Sequence, residues 1–131
     1  MLEWAAVGLL FAVLGAVAFW PLPAQWQTHA VGHHDTLFNM WRLSWIADAL
    51  TTNPAALFDP PIFHPARRVL AFSDAVLLQG VLATPWLAAG APILPVSNII
   101  FLLGPWTSAL GAYLLVRDLL GDRVPGAGCR V

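Results

Sequence analysis

Residues 4–20 read WAAVGLLFAVLGAVAFW, seventeen positions with no charged or strongly polar side chain and a tryptophan at each end. At about 1.5 Å per residue such a helix spans roughly 25 Å, just enough for a thin hydrocarbon core. Indole rings also favour the two membrane–water interfaces. Pro21 and Pro23 follow, and a ring without an N–H stops a helix. Residues 4–20 are therefore expected to form a first transmembrane helix. The rival reading is a cleaved signal peptide with Ala16, Val17 and Ala18 as its small-residue site. Glu3, with no cation ahead of the apolar run, speaks against it.

The rest of the chain points the same way. Of 131 residues, 59% are hydrophobic and only 10% charged, with a net charge of −1, against roughly 25% charged in ordinary soluble domains. A disordered chain, a coiled coil and a basic nucleic-acid binder all need more charge than this. There is no lysine; the six cations are Arg42, Arg67, Arg68, Arg117, Arg123 and Arg130. One cysteine, Cys129, excludes an internal disulfide framework and a cysteine-based zinc site. Seven tryptophans and a mean hydropathy of +0.72 indicate lipid as the solvent.

A second span is expected over residues 96–116, VSNIIFLLGPWTSALGAYLLV, whose 21 positions cover roughly 31 Å. Gly104-Pro105 should kink it, which membrane helices tolerate when neighbours satisfy the freed carbonyl. Gly104, Ser108, Gly111 and Ala112 put small residues near one face, suited to close contact with another helix. Residues 74–89, DAVLLQGVLATPWLAA, form a third apolar stretch of 16. That is short for a crossing and suits a re-entrant or interfacial helix ending at Gly90.

Arginine placement orients the chain. Arg117, Arg123 and Arg130 closely follow the second span, whereas Arg42, Arg67 and Arg68 are more than 20 residues from either full span. The positive-inside bias, counted within about 15–20 residues, then puts the C-terminus in the cytoplasm, and two crossings put the N-terminus there too. A full crossing by 74–89 would blur that bias. The expected fold is thus all-α and integral to the membrane. Two transmembrane helices (4–20 and 96–116) bracket a long external loop (21–95), and 117–131 is a cytoplasmic tail.

A 75-residue connection is too long for a plain linker, and its apolar content suggests that it lies on the membrane. Residues 36–51 read as a juxtamembrane helix, started by Asp35 and stopped before Asn53-Pro54. Asp35, Asn39 and Arg42 align at i, i+4 and i+7; Ser44, Asp48 and Thr51 form a second polar strip. Leu37, Phe38, Trp41 and Trp45 fill a sector between them. Such a helix rests at the interface with its polar side toward an aqueous cavity. Three prolines among residues 60–65 enforce an extended or turning path. Arg67-Arg68 then leads into a short extended piece at 69–72. Ser73 is a candidate N-cap for the half-helix, with Asp74 in its first turn.

Polar groups near a bilayer are costly and therefore informative. Asp35 either caps the helix that follows or acts as a general base, taking a proton from a hydroxyl nucleophile. Asp74 either favours a helix start or serves as a second acidic site, with Asp35 a potential ligand for a divalent cation. His33, His34 and His64 lack HxH or HExxH spacing, which makes a histidine metal site a weak reading. Arg67 and Arg68 either snorkel into solvent or grip a phosphate through paired guanidinium hydrogen bonds.

In order and spacing, His34-Asp35 with LFNMWRLSWIADAL, then Asn53-Pro54, LFDPPIFHP, LAFSD and NIIFLLGPWTSALGAYLLVRDLLGD, resemble the opening of bacterial GT-C type membrane glycosyltransferases. The similarity runs to about Arg123 and corresponds to the first quarter of such enzymes. It implies that Asp35 is the acidic residue near the start of the first external loop, and that Asp74 matches a second polar position. It also implies a polyprenyl-phosphate sugar as donor, inverting transfer to an external acceptor, and a bacterial inner-membrane location. The family usually has glycine before the first acid, where this chain has His34. Further transmembrane helices of a longer protein are implied partners. The tail after Arg123 does not lead into another span and reads as a truncation or a frame change, so that turnover by these residues alone is not expected. A non-catalytic membrane module packing against partner helices through its small-residue face is the competing reading. A cleaved secreted protein fits the apolar remainder poorly.

Overall fold

The computed structural model describes residues 2–30, 32, 34–72 and 74–121. Among them the chain is all-helical, with no strand. Helix α1 covers Leu2–Ala18, α2 Leu22–Gln25, α3 His34–Thr52, α4 Leu77–Ala88 and α5 Ile93–Gly121, with 3-10 turns at Pro54–Ala56 and Val69–Phe72. The chain divides into two units, one of Pro21–Phe101 and one of Met1–Trp20 with Leu102–Val131.

Helix α1 ends where the prolines begin, as expected, but Pro23 does not merely break structure. It stands in the first turn of α2, a position where the absent N–H would have had no helical partner in any case. The α2 turn closes through hydrogen bonds from Ala24 N (3.0 Å) and Gln25 N (3.2 Å) to Pro21 O.

In the Pro21–Phe101 unit, α3 packs on α4. Leu43, Ala83 and Val96 form a buried cluster, with Leu87, Ala91, Ile93 and Ile100 around it. Ile46 is fully enclosed, and a Cβ built on Gly80 would meet its Cγ2 at 2.5 Å. The helices approach this closely because Ala47, Gly80 and Ala83 offer almost no side chain. Helix α4 ends with hydrogen bonds from Ala91 N to Trp86 O (2.9 Å) and from Gly90 N to Leu87 O (3.0 Å). Gly90 adopts φ +87°. This glycine-dependent closure satisfies carbonyls that the last turn leaves open.

Three sequence expectations in this unit are corrected. Residues 69–72 wind into a 3-10 turn instead of extending. Val69 and Leu70 are both buried, which adjacent residues of a strand cannot be on one face. Helix α4 starts at Leu77, three residues later than a start at Asp74 requires, because Val76 takes a left-handed φ of 45° and caps it. Asp74 therefore lies ahead of the helix, not in its first turn. Helix α3 starts at His34, with Asp35 inside the first turn instead of before it. A carboxylate there faces the positive end of the helix dipole. The N-cap reading of Ser73, the position of His33 and the tail residues Arg123, Cys129 and Arg130 lie outside the described residues.

In the other unit, Trp106 on α5 donates its indole N–H to Gly8 O on α1 at 3.0 Å. Helix α5 is longer than the expected 96–116. Its Ile93–Leu120 stretch of 28 residues has an 18-residue window of mean hydropathy 1.8, none of it buried, and is long and apolar enough to cross a membrane. Among the described residues it alone reaches that length; α1, at 17 residues, falls below the roughly 20 that a typical bilayer core requires.

Candidate functional site

The site grows out of α3. The chain turns at Gly32, whose φ of +89° is one that side-chain-bearing residues rarely adopt, and a Cβ there would lie 2.8 Å from Thr36 Oγ1. Helix α3 then carries Asp35, Asn39 and Arg42 along one strip. Along that strip Asp35 and Asn39 are exposed and Arg42 is not. Arg42 is buried at 8% exposure. One of its terminal nitrogens donates to Asn39 Oδ1 and the other to the backbone carbonyl of Asp74. Its guanidinium carbon sits 4.7 Å from the centroid of the Phe38 ring, and Phe38 in turn stacks on Trp41 with centroids 5.7 Å apart and planes 7° off parallel. A buried cation is tolerable only with such hydrogen-bond acceptors around it.

Arg42 thereby joins α3 to the residues that lead into α4. It brings the backbone of Asp74 to the strip, while the side chains of Asp35 and Asp74 both remain exposed. The sequence placed Arg42 on this strip without assigning it that joint. The signal was present in the i, i+3 spacing of Asn39 and Arg42, but its long-range partner is a main-chain oxygen, which no side-chain pattern marks.

Arg67 and Arg68 are exposed. Asp59, which the sequence reading passed over, accepts a hydrogen bond from Arg68 N at 2.6 Å and holds the turn at Arg68, where φ is +55°. Ala66 and Val69, on either side of the arginine pair, help to line an apolar cleft of about 310 Å³, together with Phe38, Trp41, Arg42, Phe63 and Phe72. A second cleft of about 360 Å³ is lined by the other polar strip, Ser44, Asp48 and Thr51, facing Leu87, Ala91 and Ile93. Trp45 leaves the aromatic sector to donate its indole N–H to Leu57 O at 2.9 Å. Among the described residues no three His, Cys, Asp or Glu side chains converge on a point where they could hold a metal ion.

A residue inside the expected second span, to which the sequence assigns no role, anchors the start of α5. Asn98 is buried at 3% exposure, and its amide nitrogen donates to Trp26 O at 2.6 Å and to His29 O at 2.7 Å. The expected small-residue face of α5 is not where α1 is met. Added Cβ atoms at Gly104 and Gly111 would find nothing within 4 Å, whereas one at Gly8 would touch Trp106 at 3.8 Å.

Chemically, the first turn of α3 offers a solvent-facing carboxylate and the segment after Pro65 two solvent-facing guanidinium groups; none of these three side chains lines the 310 Å³ cleft. A carboxylate can take a proton from a hydroxyl, and paired guanidinium groups can hold a phosphate dianion. No protein-family model, curated protein or solved structure matches the chain.

Proposed function

We propose that the chain is the N-terminal portion of a membrane glycosyltransferase of GT-C type, using a polyprenyl-phosphate sugar as donor. In this reading α1 and α5 both cross the bilayer, both chain ends face the cytoplasm, and residues 21–95 lie outside. The observation that carries it is the α3 strip: Asp35 in the first turn, followed by Asn39 and an Arg42 fastened to the backbone of Asp74. These residues match the ordered motifs of the resemblance, and the strip fixes a carboxylate-bearing helix against the segment that carries the second acid. The long apolar α5 supports the membrane setting.

Asp35 would accept the proton of the acceptor hydroxyl as its oxygen attacks the anomeric carbon of the sugar. The bond from that carbon to the lipid phosphate breaks on the opposite face, and the electron pair leaves with the phosphate. Arg67 and Arg68 would hold the departing phosphate, where cations lower the energy of the charge that develops. Asp74 stands as the second acidic position, with the potential to join a divalent cation.

The test is sugar transfer by the complete reading frame in inner-membrane vesicles. Asp35→Asn is expected to lower the rate about 10²- to 10⁴-fold, the usual contribution of a positioned base. Unchanged transfer would remove Asp35 from the mechanism. Cysteine labelling at positions 35, 67 and 123, with Cys129 replaced, tests the topology; labelling of 123 from outside would overturn it.

A second reading is favoured by Gly104 and Gly111, whose surroundings are open: a non-catalytic module whose α5 receives a partner helix along that face. It expects a stable complex that tolerates changes at Asp35 and Asp74 but is lost with Gly111→Leu.

A further inference from the structure

The cleft beside Arg67 and Arg68 has a composition that water would not select. Among the described residues that line it Arg42 is the only charged one, and the remainder are aromatic or aliphatic. At about 310 Å³ it lies at the lower end of ligand-binding clefts, which run from roughly 300 Å³ upward. Two of its lining rings are also among the most solvent-exposed in the chain, Phe63 at 69% and Phe72 at 76%. Phenylalanine rings left this open usually mark a surface that something covers.

The charge pattern says what covers it. Between those two rings the sequence places Arg67 and Arg68, and no acid. Phe63 and Arg68 both hold left-handed backbone conformations, with φ of 58° and 55°, which residues with side chains seldom adopt. Such departures tend to persist where a surface has a task. The Asp59 carboxylate spends one oxygen on the Arg68 backbone N–H, which fixes the turn that carries the pair. The segment also belongs to the unit in which α5 begins at Ile93, so covalent continuity with an apolar helix keeps it within reach of a bilayer.

We propose that residues 60–72 form a phospholipid-docking element. An acyl chain of an anionic membrane phospholipid enters the cleft lined by Phe63 and Phe72, and its phosphate is held by Arg67 and Arg68. The occupant is a structural lipid of the surrounding leaflet, selected by its negative charge. This rests on the membrane setting proposed above but not on glycosyl transfer: it gives Arg67 and Arg68 to a resident lipid in place of the donor phosphate, and leaves the role of Asp35 untouched.

The test places the photoreactive residue p-benzoylphenylalanine at position 63, 72 or 115 of the full chain. Each variant is reconstituted in nanodiscs of phosphatidylcholine with about one third phosphatidylglycerol, and intact-mass spectrometry identifies the adducts. Positions 63 and 72 are expected to capture phosphatidylglycerol well above its share of the bilayer. Position 115, on the exposed part of α5, should capture both lipids in proportion. Arg67→Gln is expected to lower the ratio of phosphatidylglycerol to phosphatidylcholine adducts at 63 and 72 about fivefold, as is Arg68→Gln, because each cation near an anionic surface contributes an attraction of that order. Proportional capture at 63 and 72, or capture of protein there, overturns the docking element while lipid capture at 115 leaves the membrane setting standing. No lipid capture at any position, 115 included, overturns both.

Discussion

Gly80 and Ile46 lie so close that the α3–α4 contact has no room for one methyl group. A Cβ on Gly80 would stand 2.5 Å from Cγ2, 2.7 Å from Cδ1 and 2.8 Å from Cβ of Ile46. The last of these atoms cannot rotate away. In an ordinary helix interior Gly→Ala gains about 0.5–1 kcal/mol, but overpacking a filled contact costs about 1–3 kcal/mol. Gly80→Ala is therefore expected to destabilise the protein in thermal unfolding. Ile46→Ala alone is expected to cost about 2–5 kcal/mol, yet in its presence the Gly80→Ala penalty should shrink. Strict additivity of the two would show that the helices part easily.

The same substitution at Gly8 is expected to have the opposite sign. An added Cβ would meet Trp106 Cζ2 at 3.8 Å, an ordinary contact distance, so the helix-propensity gain of about 0.5–1 kcal/mol is unopposed. A lower unfolding temperature for Gly8→Ala would contradict this packing.

Asn98 serves two main-chain oxygens with one amide. Asn98→Leu leaves the carbonyls of Trp26 and His29 without that donor, at an expected cost of about 1–3 kcal/mol. Asn98→Asp should be worse, because it sets a carboxylate against both oxygens. Loss of protection at residues 26–29 in hydrogen exchange is the accompanying local signature.

Arg42→Met should loosen the residues before α4, since it removes the donor to Asp74 O along with the Asn39 contact. Hydrogen bonds from a charged group contribute about 1.5–3 kcal/mol. Arg42→Lys is expected to restore little of this. A single ammonium lacks the planar fork that reaches two acceptors while lying over the Phe38 ring. Faster exchange across 74–80 in both variants is the expected result, and unchanged exchange would remove Arg42 from this joint.

Much of the helical layout was legible in the sequence, because apolar runs, Pro21, Asn53-Pro54 and Gly90 each punctuate the chain by backbone chemistry alone. What escaped has a common cause. Asn98, Trp106 and Arg42 donate to carbonyls distant in sequence, Asp59 accepts from a backbone N–H nine residues on, and a main-chain group carries no signature of its neighbour's identity. The extended reading of 69–72 failed because two adjacent residues are buried together, a demand set by the fold around them. Asp74 was placed in a helix by its charge, whereas the left-handed Val76 decides where α4 begins. Of the candidate site, the Asp35–Asn39–Arg42 alignment was visible as spacing. The burial of Arg42 was not, because spacing does not say which residue of a strip meets the core.

The indole of Trp106 offers a closing consequence. Two greasy cylinders can slide or roll past each other with little change in dispersion energy, since one aliphatic neighbour replaces another. A lone N–H reaching a single carbonyl, Gly8 O at 3.0 Å, breaks that degeneracy. One setting of the pair is then singled out, as a notch singles out one position of a bolt. Trp106→Phe is expected to cost only about 0.6–1.5 kcal/mol, yet cysteine pairs engineered across α1 and α5 should then cross-link at several offsets instead of one.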